Sequence, residues 1–101
     1  MEEKSDKERI KVVIKLYASL RDRIGFKEKV LYVKEGQGII SLLHELEKVI
    51  GDRGNLIFDD NGNLKNVMLS VNNVLVSHQE LSRLKLYNGD RVDIMPLPSG
   101  G

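Results

Sequence analysis

The 101-residue chain contains no cysteine. That absence excludes disulfides, thiolate zinc sites, iron–sulfur clusters and a cysteine nucleophile of its own. No covalent staple is needed, because a chain of this size with 41% apolar residues buries somewhat more than about 60% of its unfolded surface around one core. No apolar run approaches the roughly 18 residues of a membrane span, and the charged opening MEEKSDKER is unlike a secretory signal. Nor is there an excess of either charge. Sixteen Lys and Arg stand against 15 Asp and Glu, interspersed along the chain, for a net charge of +1. A nucleic-acid binder gathers a basic excess on one face, so that class is set aside. These absences predict a soluble, cytoplasmic single domain with neither a nucleic-acid nor a membrane partner.

Catalytic groups are equally sparse. His44 and His78 are the only histidines, and neither has a second ligand at metal-binding spacing. No serine sits in a Gly-x-Ser-x-Gly setting. Gly36-Gln37-Gly38 precedes an apolar periodic stretch but lacks the dinucleotide or P-loop spacing, and reads as a turn. Asp59, Asn61 and Asn63 alternate like the start of a calcium loop. The glycine falls at the fourth position instead of the sixth, however, and Ser70 stands where the twelfth-position glutamate belongs. With Asn61-Gly62 inside it, this stretch predicts a hairpin turn. The expectation is a body that is no enzyme by itself and binds neither metal nor cofactor intrinsically.

The apolar pattern defines the elements. Ile10 to Tyr17 (IKVVIKLY) alternates as a strand, with Ile10, Val12, Ile14 and Leu16 on one face and Val13 and Tyr17 on the other. Ala18 to Gly25 is a polar, Gly-terminated connection with room for one helical turn. Lys27 to Val33 is a second strand. From Ile39 to Ile50 the residues Ile39, Leu42, Leu43, Leu46, Val49 and Ile50 form one stripe at a 3.6-residue period, with Ser41, Glu45 and Lys48 on the wet face. Gly38 takes the N-cap and Gly51 the C-terminal stop. After the irregular stretch from Asp52 to Asn66, Val67 to Val71 is a strand that turns at Asn72-Asn73 into Val74 to Val76. Arg91 to Met95 is the last strand, with Val92 and Ile94 inward and Arg91, Asp93 and Met95 outward.

The organisation expected is a flexible charged N-terminus (1–9), an α+β domain (10–95) and an extended tail (96–101). In the domain one helix lies across one face of a mixed sheet. One helix cannot cover both faces, so the other is solvated or meets a partner, and Val13, Tyr17 and Met95 are the candidate interface. The tail reads Pro96-Leu97-Pro98-Ser99-Gly100-Gly101. Its prolines bias it to extended conformations, and its glycines, without Cβ atoms, fit a channel too narrow for other residues.

Four ordered stretches carry a resemblance. They are LYASLRDRIG (Leu16 to Gly25), the helix opening at Gly38-Ile39 with Leu42, Leu43 and Leu46, VMLSVNN (Val67 to Asn73), and LYNGDRVDIMPLPSGG (Leu86 to Gly101). Together they resemble the MoaD/ThiS-type ubiquitin-like sulfur carriers. The resemblance implies the β-grasp fold, and a function in which the Gly101 carboxyl is adenylated by a ubiquitin-activating-type enzyme that uses ATP. A sulfur donor then converts it to a thiocarboxylate. It further implies molybdopterin synthesis as the leading pathway, with the large subunit of molybdopterin synthase as a further partner. Two departures stand out: Asp52 to Asn66 is longer than in compact carriers, and Leu97 separates two prolines that are often adjacent. A protein modifier joined to lysines through Gly101, and a binding-only module with an inert tail, are the alternatives.

Overall fold

The computed structural model of the protein describes residues 9–97; the N-terminal segment before Arg9 and the tail residues Pro98, Ser99, Gly100 and Gly101 lie outside the described residues. The alternating stretch forms β1 (Arg9–Leu16), with Ile10, Val12, Ile14 and Leu16 all buried. It pairs antiparallel with β2 (Glu28–Lys34), setting Val13 opposite Val30 and Lys11 opposite Tyr32.

Between them Ala18–Ile24 is a seven-residue helix, α1, where the sequence suggested a polar connection with room for one helical turn. Two apolar residues four apart, Leu20 and Ile24, are buried, while Arg21, Asp22 and Arg23 face solvent. Two buried positions in seven are too few to display a helical period. What holds the helix is tertiary: Arg53 donates a hydrogen bond of 2.8 Å to the Ile24 carbonyl, and Gly25, at φ 106°, ends it.

The long helix α2 spans Ile39–Ile50, as the periodicity predicts. Ile39, Leu42, Leu43, Leu46 and Ile50 are buried, but Val49 is 43% exposed. At 3.6 residues per turn Val49 lies about 80° from the centre of the stripe, on its margin. Gly38 has a role beyond capping: an added Cβ would stand 2.7 Å from the Leu84 carbonyl oxygen, which accepts the Ile39 amide at 3.0 Å. The segment after α2 winds through a 3₁₀ turn (Gly51–Leu56) and inserts Ile57 and Phe58 into the core. Asp59 then takes the Asn61 and Asn63 amides on one carboxylate oxygen at 2.9 and 3.0 Å, so the stretch is the expected turn.

The remaining strands are β3 (Val67–Val71), β4 (Val74–Val76) and β5 (Arg91–Pro96). Asn72 and Asn73 have φ of 50° and 73°, the left-handed pair that closes a two-residue hairpin. The sheet order is β2-β1-β5-β3-β4, with β1 and β5 parallel at its centre. The core lies between α2 and the sheet. Ile14, Leu16, Val92 and Ile94 are essentially inaccessible there.

Candidate functional site

The root of the tail is set by the direction of peptide groups along β5. Successive residues turn alternately to the two neighbouring strands. Odd-numbered residues face β3: Asn72 donates to the Arg91 carbonyl, and Leu97 donates to the Asn66 carbonyl at 3.0 Å. Even-numbered residues face β1, whose last pair is Leu16 with Ile94, followed by a bond from the Tyr17 amide to the Ile94 carbonyl. At Pro96 that neighbour has already turned into α1, so an N–H there would have no strand partner, and proline is accommodated. Leu97 between the prolines keeps the donor that makes the last bond of the ladder. A proline in place of Leu97 would lack that donor. Leu97 itself is 47% exposed.

The sheet face away from α2 collects Val13, Val30, Tyr32, Met68, Leu75 and Met95 by register. Val13, Tyr17 and Met95, singled out from the sequence, are half-buried, and the structure places Val13 and Met95 on this face with Tyr17 at the end of β1. Tyr32 and Leu75 are 57% and 63% exposed. Alternation alone suffices to find Val30 and Tyr32. Met68 and Leu75 require knowledge of which strands are neighbours.

Asp93 departs from expectation. It lies on the outward face but is only 4% exposed. Arg91 contacts one carboxylate oxygen at 3.2 Å and the Ser70 hydroxyl donates to the same oxygen at 3.5 Å, while Arg91 also reaches the Asn73 side chain. The other oxygen of Asp93 and Nε of Arg91 have no protein partner. A charged pair therefore sits amid the apolar groups, shielded by its neighbours. His44 and His78 are both exposed, and no group of three His, Asp or Glu side chains among the described residues is placed to hold a metal. No helix of the described residues is long and apolar enough to cross a membrane.

At the rim near the tail, the Ser77 amide donates to a Glu80 carboxylate oxygen at 2.9 Å. This bond, with help from the Ser77 hydroxyl and the Arg83 charge, holds the Glu80 carboxyl below the usual glutamate range.

One long helix gripped by a five-stranded mixed sheet with its first and last strands parallel is the ubiquitin-like β-grasp class. The ThiS family model matches residues 14–101, and the chain belongs to that family. Its class is that of small ubiquitin-like sulfur carriers and modifiers, which are carrier proteins and not catalysts. No curated protein matches the sequence. Among solved structures, small archaeal modifier protein 1 of Methanosarcina acetivorans is 27% identical with a TM-score of 0.74, covering 92% of this chain and 98% of its own. A Pyrococcus furiosus protein described as molybdopterin converting factor, subunit 1, is 26% identical with a TM-score of 0.69, covering 88% and 99%. CysO in the BexX/CysO complex of Amycolatopsis orientalis shares the fold at 18% identity with a TM-score of 0.66, covering 89% and 99%.

Proposed function

We propose that the chain is a sulfur carrier whose reacting group is the carboxyl of Gly101, with molybdopterin synthesis as its leading pathway. A carboxylate is ionised at neutral pH and resists nucleophilic attack, so it must be activated. In the proposed sequence a carboxylate oxygen attacks the α-phosphate of ATP on a ubiquitin-activating-type partner, releasing pyrophosphate. A sulfur donor at the sulfide oxidation level then attacks the acyl carbon and expels AMP, leaving a thiocarboxylate. The large subunit of molybdopterin synthase would be the place where that sulfur is spent.

One observation carries this reading. The last described backbone bond on the way to the tail is Leu97 to Asn66, at the rim of a sheet face bearing Val13 and Met95, and the family match continues through Gly101. A partner on that face would meet the tail as it leaves. The modifier reading, with Gly101 joined to lysine amines, is favoured by the likeness to the Methanosarcina acetivorans modifier protein. Intact-mass spectrometry of the protein purified from its native cells tests the proposal. A thiocarboxylate adds about 16 Da to the mass that ends in the Gly101 carboxylate. Lysine-linked conjugates without that species would favour the modifier, and indifference of function to removal of Gly100 and Gly101 would favour the inert-tail module.

A further inference from the structure

Beside the root of the tail the sheet has an open notch. β4 ends at Val76, opposite Leu69, so Val67 has no strand neighbour on that side among the described residues. Even-numbered residues of this stretch turn their peptide groups toward β5, as Asn66 and Asn72 do. By alternation the N–H and C=O of Val67 point the other way, into the notch. A groove of about 510 Å³ opens there, walled by Leu64, Val67, Val76, Leu81 and Leu97. His78 and Glu80 stand on its rim, and Glu80 is tied to the Ser77 amide.

The occupant follows from two constraints. An apolar groove alongside a backbone donor and acceptor with no strand partner among the described residues suits an extended segment of another chain, which supplies peptide groups and one apolar side chain. A small polar ligand would find few convergent polar groups. The second constraint is distance. Leu97 is a wall of the groove, and the residues from Pro98 to Gly101 extend at most about 13 Å beyond it. Even a 100-residue globule has a radius of gyration of about 13 Å. An enzyme that closes its active site around the Gly101 carboxyl therefore comes within reach of the notch.

We propose that the notch takes an extended segment of the enzyme that activates the Gly101 carboxyl, its backbone pairing with Val67 and an apolar side chain entering the groove. This rests on the carrier reading above. It adds a second contact, at the sheet edge, to the contact on the sheet face.

The test uses the full chain with ATP and the purified ubiquitin-activating-type enzyme of the same organism. Amide hydrogen exchange at Val67 should slow at least tenfold in the complex, with Leu69, already in the ladder, as the internal reference. Val76→Thr and Leu81→Gln place a polar group in the groove at half-buried positions. Together they should raise KM in ATP–pyrophosphate exchange about tenfold while leaving kcat unchanged, the scale of a lost apolar contact in a pocket. A parent chain that is adenylated while the Val67 amide exchanges as fast as in the free protein overturns the notch proposal and leaves the carrier reading standing. So does a Val67 amide that is protected in the free chain and released by removing Pro98 to Gly101, since the chain's own tail would then be the occupant. A parent chain that is not adenylated at all overturns both.

Discussion

Removing Gly101 tests the carrier reading most directly. The tether from the Leu97 amide to the Asn66 carbonyl fixes the origin from which the tail is measured. From there the four residues Pro98 to Gly101 reach about 13 Å, and three reach about 10 Å. The shortened carboxylate thus falls roughly 3.5 Å short of the α-phosphate it must attack. A misplacement on the order of 1 Å already reduces rates about 100-fold, so adenylation should drop by at least that factor. Gly100→Val should do the same by another route, because a branched Cβ fills the narrow channel and restricts the backbone. Neither position is among the described residues that build the core, and the thermal midpoint should stay within about 1–2 °C of the parent. The assay is ATP–pyrophosphate exchange with the activating enzyme at saturating ATP. A deletion variant adenylated as fast as the parent would refute the reasoning and leave the inert-tail module as the better account.

Further outcomes are expected elsewhere in the molecule. Val13→Asp with Met95→Asp puts two charges on the sheet face away from α2, at half-buried positions. Adenylation should be lost while the circular-dichroism spectrum is kept, and unchanged kinetics would remove that face as the docking surface. Gly38→Ala drives a Cβ to 2.7 Å from the Leu84 carbonyl oxygen. The forced shift should destabilise the fold by about 1–3 kcal/mol, read by urea denaturation, and a variant as stable as the parent would show the approach to be soft. The Glu80 carboxyl, held down by the Ser77 amide and hydroxyl, should titrate below the usual glutamate range in a carbon-detected NMR titration. The contribution of its bonds is present above the unfolded value and lost as pH falls through the folded one, and Ser77→Ala should move the midpoint up.

Where one residue decides its own environment, the sequence was a sufficient guide. β1 and α2 are examples: period two and period 3.6 each name a buried face without reference to other elements. Where the environment is supplied from far away, it was not. α1 exists because Leu20 and Ile24 meet a core assembled from distant strands and because Arg53 reaches the Ile24 carbonyl. Asp93 has the parity of an exposed residue, yet Arg91 and Ser70 close over it. The apolar sheet face away from α2 was half legible for the same reason. Val13 and Met95 carry their orientation in their own strands, whereas Met68 and Leu75 join them only through the order β2-β1-β5-β3-β4. The use of the Leu97 amide could not be read from the sequence, because it depends on which neighbouring strand that amide faces.

The parallel pairing of β1 with β5 has a consequence for how the molecule comes into being. Ile14 and Leu16 at the beginning of the chain find their neighbours, Val92 and Ile94, only near its end. Contacts of such long range form late, because nearly the whole chain must be looped before they contribute. During synthesis the central strand is missing until residues adjoining the tail have left the ribosome, so β1 and β2 wait as an unfinished hairpin. A chain cut short before Arg91 lacks the middle of its sheet and leaves half its core without a wall. Folding therefore acts as a check on length: a well-folded head exists only on molecules in which the segment leading into the tail has been made.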